Sequence, residues 1–221
     1  MPHWHPSPNF TDRRGCSAPD LILLHYTAMT SAEAALDRLC DPQFEVSAHY
    51  LIAEDGRLWQ MVREEDRAWH AGAGRWGDCV DVNSRSIGIE LANAATHPFP
   101  EPQMRALEDL LRGIMDRWGI PPERVVAHSD TAIGRKIDPG GRFDWHRLAR
   151  QGLAVWPQHG EAGDFLLDAR RFGYDCETAS EQDVLTAFRL RFRPWAGGPL
   201  DDEDRRLMHD LARRYPVQSS L

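Results

Sequence analysis

The sequence predicts an α/β protein: a mixed central β-sheet flanked by helices, followed by a small C-terminal three-helix bundle. Three observations predict it. Short apolar runs at 21–24, 87–92 and 125–127 have the length and β-branched content of buried strands. Residues 102–118 carry Met104, Leu107, Leu111, Ile114, Met115 and Trp118 at three- and four-residue spacings, the stripe of an amphipathic helix. From Asp164 onward the pattern turns to short helices without strands. With 221 residues the chain accommodates a larger domain over 1–156, a linker over 157–163 and the bundle over 164–221.

Taken in order, a polar, Pro-rich arm runs to Asp20, and Leu21-Ile22-Leu23-Leu24 then forms a buried strand ending at His25. Thr30 and Glu33 make a capping box for a helix to about Leu39. Phe44 to Ile52 alternates as a strand, Asp55-Gly56 turns the chain, and Arg57 to Val62 returns as the hairpin partner. Ile87 to Ala92 is a buried strand containing one carboxylate, Glu90. The helix to Trp118 opens on Pro102 and closes on Gly119. Val125-Val126-Ala127 is a strand delivering His128 into a polar loop, and Trp145 to about Arg150 is a short helix ending at Gly152. The bundle reads as Phe165–Phe172 closed by Gly173, Val184–Phe192 capped by Ser180, and Leu207–Tyr215 opened by Asp201 and stopped by Pro216. So thin a core predicts docking against the larger domain.

Composition bounds the function. Apolar residues at 42% and charged residues at 27% describe an ordinary soluble globular chain, and a net charge of -8 argues against nucleic acid as a partner. No segment approaches a membrane span. The first fifteen residues show neither a basic region with an apolar stretch nor a lipid-attachment pattern, which predicts a cytoplasmic protein. Cys16, Cys40, Cys79 and Cys176 form no CxxC pair and read as free thiols of a reducing compartment.

The chemistry concentrates between Val125 and Trp145. There an imidazole (His128), an ammonium (Lys136) and a carboxylate (Asp138) meet in a loop broken by Gly134 and by Pro139-Gly140-Gly141. Imidazole and carboxylate are good zinc ligands, but a catalytic zinc needs three protein ligands and an open position. His25 is the third candidate: alone it would read as a hydrogen-bonded core histidine, beside the other two it reads as a ligand. Lys136 is the only lysine among 26 basic residues, at a place where a compact cation differs in kind from a guanidinium. Glu90 is either a general base facing the metal or an edge-strand residue in solvent. His49 offers an imidazole that lines the cleft or bonds a backbone carbonyl, with metal ligation the lesser reading. Trp69-His70-Ala71 is a substrate wall or a packed loop anchor.

These segments resemble a known family. LILLHYT at 21–27, VSAHYLIAEDG at 46–56, AWHAG at 68–72, SIGIELAN at 86–93, and VVAHSD with GRKIDPGGRFDW across 125–145 are similar to the zinc-dependent N-acetylmuramoyl-L-alanine amidases of the type 2 amidase superfamily, in the AmpD and AmiD branch, relatives of peptidoglycan recognition proteins and phage T7 lysozyme. The resemblance implies one zinc ion per chain on His25, His128 and Asp138, with Glu90 and Lys136 catalytic. It makes His49, Trp69, His70, Ala71 and Asn93 candidate substrate contacts. Ala48 stands where T7 lysozyme has a tyrosine, which fits the branch that uses Glu. The C-terminal part is similar to a three-helix peptidoglycan-binding domain through GYDC at 173–176, the 187–194 stretch and the Gly198-x-Leu200-Asp201 lead. The implied activity is hydrolysis of the amide between N-acetylmuramic acid, in 1,6-anhydro form, and L-alanine, by a monomer recycling soluble anhydromuropeptides in the cytoplasm. A periplasmic enzyme of intact sacculi, a non-catalytic muropeptide binder and a zinc peptidase acting within the stem peptide are the alternatives.

Overall fold

The computed structural model describes residues 2–217. Its strands are β1 (His3–Trp4), β2 (Phe10–Asp12), β3 (Leu21–Tyr26), β4 (Tyr50–Ile52), β5 (Leu58–Gln60), β6 (Asp66–Ala68), β7 (Ser86–Leu91) and β8 (Val125–Ala127). Its helices are α1 (Ala32–Cys40), α2 (Val82–Arg85), α3 (Glu101–Trp118), α4 (His128–Thr131), α5 (Trp145–Arg150), α6 (Phe165–Phe172), α7 (Glu181–Phe192) and α8 (Asp202–Arg214). Six strands form one sheet in the order β1-β5-β4-β7-β3-β8, and β2 pairs with β6 in a separate antiparallel ribbon. β4, β7, β3 and β8 run parallel to one another, and β5 runs antiparallel to β4, so the sheet is mixed as predicted.

The side-chain alternation of the central strands divides the core. Ile22 and Leu24 of β3, with Ile87, Ile89 and Leu91 of β7, pack under Met104, Leu107, Leu111 and Ile114 of α3. Leu21 and Leu23 point the other way, and with Val126 they join Phe165, Phe172, Phe188 and Leu211 of the last three helices in one apolar cluster. The C-terminal helices thus bury their apolar faces against the sheet. α1 covers the third region, over Leu51, Ala53 and Met61.

Several expectations are corrected in detail. The first helix is capped by Ser31, whose side chain accepts from the Ala34 N–H, and not by Thr30. Phe44 to His49 is not strand: Asp41 caps a 3₁₀ turn over Pro42–Phe44, Glu45 sits at φ 50°, and the hairpin strand begins at Tyr50. β3 runs one residue past His25, to Tyr26. The polar, Pro-rich arm before Asp20 adds two short strands that were not predicted, β1 paired with β5 and β2 with β6. The helix closed by Gly119, here at φ 65°, and the N-caps Ser180 and Asp201 stand as predicted.

Candidate metal centre and cleft

Period-two geometry builds the site. In β3 the residue after Leu21 and Leu23 on the same face is His25, and in β7 the matching face carries Gly88 and Glu90, with His25 and Glu90 directly paired in register. β8 lies on the other side of β3, and His128 follows it as the first residue of α4. The turn through Lys136 then returns Asp138, whose backbone carbonyl accepts from the Ser129 N–H at 3.0 Å. Three segments distant in sequence therefore meet at one end of the parallel strands.

His25, His128 and Asp138 are the three residues that close up. Each of the three distances among His25 Nδ1, His128 Nδ1 and Asp138 Oδ2 is 3.0 Å. A tetrahedral zinc with bonds of about 2.0–2.1 Å requires donors roughly 3.3 Å apart, so the triangle is close to one face of that tetrahedron. Protonation fits as well. His128 Nε2 lies 3.0 Å from the Ala71 carbonyl, which can only accept, so Nε2 carries the proton and Nδ1 presents a lone pair. Burial, with the neighbouring His128 adding to it, pushes His25 down to about 4 against the opposing pull of Asp138. Burial would raise the Asp138 carboxyl, but its contacts to His128 and His25 outweigh this and hold it below the usual carboxylate range. Neutral imidazole and ionised carboxylate are the donor states a metal requires.

The trio opens on a cleft of about 520 Å³ that Glu90, Lys136, Trp69 and His70 also line. Glu90 is only half-buried as a residue, yet its Oε2 is shielded from solvent and has no hydrogen-bond partner among the described residues. Burial pushes its carboxyl up to about 8, the Asp138 charge adds to this, and Lys136 opposes it. Lys136 is exposed at the rim. α1 contributes Ala35, Arg38 and Leu39 to the opposite wall, and the loop before Asp138 contributes Arg135 and Ile137. Sequence reasoning missed these wall residues, since nothing local marks which face of α1 meets the cleft.

The other predicted contacts divide. Trp69 and His70 line the cleft, while His49, Ala71 and Asn93 do not. His49 is fully buried below it: Nδ1 accepts from the Gly88 N–H at 2.9 Å, and Nε2 donates to the Asp66 carbonyl at 3.1 Å. That is the backbone-bonding alternative for this histidine. Ala71 meets the site from behind, through the carbonyl that fixes His128. Asn93 is buried at the end of β7, where its Oδ1 accepts from the Ala95 N–H and its carbonyl from the Ala28 N–H.

Comparison with known proteins agrees with this architecture. Residues 15–141 match the family model described as N-acetylmuramoyl-L-alanine amidase. The Escherichia coli K12 N-acetylmuramoyl-L-alanine amidase AmiD is 36% identical over 88% of this chain and 83% of its own length. The Haemophilus influenzae 1,6-anhydro-N-acetylmuramyl-L-alanine amidase AmpD is 35% identical over 64% of this chain and 86% of its own. The solved complex of E. coli AmiD with the substrate anhydro-N-acetylmuramic acid-L-Ala-D-gamma-Glu-L-Lys superposes with a TM-score of 0.81 at 34% identity, covering 92% of this chain and 93% of that one. AmpDh3 of Pseudomonas aeruginosa superposes with a TM-score of 0.82 at 31% identity, covering 90% and 93%.

Proposed function

This chain belongs to the N-acetylmuramoyl-L-alanine amidase family, and from that premise we propose that it cleaves the amide between 1,6-anhydro-N-acetylmuramic acid and L-alanine in a zinc-dependent reaction. One observation carries the reading: three donor atoms in ligand-competent states converge on the cleft that holds Glu90 and Lys136. Bound by His25, His128 and Asp138, zinc would supply Lewis acidity and lower the pKa of water toward about 7. Glu90 takes the proton of the attacking water and passes it to the leaving L-alanine nitrogen. A carboxyl whose pKa burial has raised toward neutrality suits both halves of that task. Lys136 places an ammonium at the cleft rim, where negative charge grows on the attacked carbonyl oxygen. Trp69 supplies an aromatic wall for the sugar or the first stem residues.

The substrates are soluble anhydromuropeptides, as the names of the AmpD relatives and the ligand of the AmiD complex suggest for this chain too. The C-terminal helices serve as a packing element with little affinity for glycan, a role supported by the apolar cluster they share with β3 and β8. Cytoplasmic turnover is the matching setting. Four free cysteines suit a reducing compartment, and among the described residues no helix is long and apolar enough to cross a membrane.

The test is to incubate the zinc-loaded protein with anhydromuramyl-tripeptide and with purified sacculi and to weigh the products. Anhydromuramic acid and intact tripeptide from the soluble substrate, with weak co-sedimentation on sacculi, are expected. Fragments cut within the stem peptide would make it a peptidase. Tight sedimentation with faster release from sacculi would move the substrate to the polymeric wall.

A further inference from the structure

His70 was expected to touch substrate, but its hydrogen bonds lead the other way. Its Nδ1 lies 3.0 Å from His25 Nε2, and its Nε2 lies 3.3 Å from Ser86 Oγ. The Ser86 hydroxyl donates at 2.6 Å to the Val82 carbonyl, so its oxygen is left to accept from His70. Proton directions along the chain are therefore set from its far end: His70 carries its proton on Nε2, its Nδ1 accepts from the His25 Nε2–H, and His25 Nδ1 is left with a bare lone pair toward His128 and Asp138. We propose that His70 is a positioning residue of the metal centre, fixing the tautomer and ring orientation of His25 through the chain His25–His70–Ser86–Val82. The inference rests on the reading of His25, His128 and Asp138 as the metal trio.

The surroundings of His70 are built for one ring placement. The buried Asn83 side chain accepts from both the His70 and the Ala71 N–H groups, at 3.0 and 2.8 Å. Asn83 thereby ties the support of His25 to the carbonyl that fixes His128. Gly88 leaves room for the imidazole: a Cβ there would lie 2.5–2.6 Å from three His70 ring atoms. A glycine inside a buried strand marks such a close approach. His49 in turn holds the Gly88 N–H and lies edge-on to His70, with ring centroids 5.8 Å apart. Histidine ligands depend on this kind of partner, whose removal typically lowers metal affinity by about 10–100-fold.

The experiment measures zinc affinity by competition with a chromogenic chelator on the full chain, alongside the NMR signal of the His25 Nε2 proton. Wild type should bind one zinc and show a slowly exchanging proton on His25 Nε2. His70→Ala should weaken zinc by about 10–100-fold and abolish that signal. His70→Asn offers an amide oxygen near the place of Nδ1 and should recover most of the affinity and the signal, a rescue that a merely space-filling role does not predict. Ser86→Ala frees His70 to take the other tautomer, so it should weaken zinc by an intermediate factor. Gly88→Ala should displace an otherwise intact His70 and resemble His70→Ala. Thermal unfolding of each variant under excess chelator separates loss of fold from loss of metal. If wild type binds zinc and Asp138→Ala does not, while His70→Ala and His70→Asn both bind as wild type, the trio stands and the positioning role is overturned. If wild type binds no zinc, the trio reading falls and takes this inference with it.

Discussion

Replacing Arg191 by Met tests whether the C-terminal helices are part of the catalytic framework. Arg191 of α7 is almost wholly buried, with one terminal nitrogen 2.6 Å from Asp130 Oδ2 and the other 3.0 Å from the Val125 carbonyl. Its guanidinium lies 4.3 Å over the Trp145 ring. Asp130 is itself fully buried; it accepts from the Tyr174 hydroxyl at 2.9 Å and from the Ala127 N–H at 2.9 Å. It stands in the same helical turn as His128. In Arg191→Met the carboxylate keeps two neutral donors but loses its only ion-pair partner among the described residues. Breaking a buried pair from one side costs about 3–5 kcal/mol, and at about 2–4 °C per kcal/mol for a chain of this size the melting temperature should fall by roughly 6–20 °C. Adding Asp130→Asn removes the stranded charge, so the double variant should regain at least about 2 kcal/mol of that loss. Equilibrium denaturation of the four proteins under chelator gives the coupling directly. Zinc titration should show weaker binding in Arg191→Met, because the turn that carries His128 is no longer anchored. A cost below about 1 kcal/mol, or strictly additive single changes, would refute the argument that this pair ties the bundle to the site.

Further outcomes follow from the site. Asp138→Ala should remove both metal and activity, measured by zinc content and product release, since two imidazoles leave the ion short of a third protein ligand. Glu90→Ala and Lys136→Ala should each lower kcat by on the order of 10² or more with zinc retained, and Lys136→Arg should not restore the wild-type rate. Glu90 also predicts a pH dependence of stability in the chelated protein. Its folded pKa of about 8 lies above the ordinary value of about 4.3, so the native state holds a proton that the unfolded chain has released. That contribution is complete below about pH 4.3 and is lost as pH rises toward 8. Unfolding free energies of wild type and Glu90→Gln should therefore diverge over this window in favour of Glu90→Gln, and parallel curves would count against the burial argument.

The parts of the fold that were legible in the sequence are those in which local pattern and burial agree. Leu21–Leu24, Ile87–Leu91 and Val125–Ala127 are short apolar, partly β-branched runs that read as buried strands and are buried strands, and each presents one chemically unusual residue at or near its end. That was enough to assemble His25, Glu90 and His128 before any contact was known. β1, β2 and β6 were not legible. They are two or three residues long and held by pairings to distant segments, such as Phe10 with Ala68, and β1 and β2 are largely exposed. Thr30 and Ser31 are adjacent hydroxyl residues; Glu33 three residues on favours Thr30 by the capping-box pattern, yet Ser31 makes the cap, with Ala34 at the third position. Arg191 was not legible as a core residue although the helical period places it on the face of Val184 and Phe188: what holds its charge inside is Asp130, 61 residues away, with the Val125 carbonyl and the Trp145 ring.

His49 and His70 each had two readings in the sequence, one toward the cleft and one into the protein, and local pattern did not decide between them; the hydrogen bonds of both rings run into the protein, while His70 also lines the cleft. A histidine carries no local mark of which way its ring turns; here the His49 ring accepts from the Gly88 N–H, and the His70 ring sits where a Gly88 Cβ would be. The mark was in the partner strand. Within Ser86-Ile87-Gly88-Ile89-Glu90-Leu91, alternation assigns Ser86, Gly88 and Glu90 to one face, so a hydroxyl, an empty position and a carboxylate follow one another toward His25. A strand that omits its side chain at the middle of such a row requires something from outside to fill the gap. Here the His70 ring fills it, joined by hydrogen bonds to Ser86 on one side and His25 on the other. Gly88 therefore has the same standing in the site as the residues that bear its chemistry, because any side chain at that position would displace the ring that orients His25.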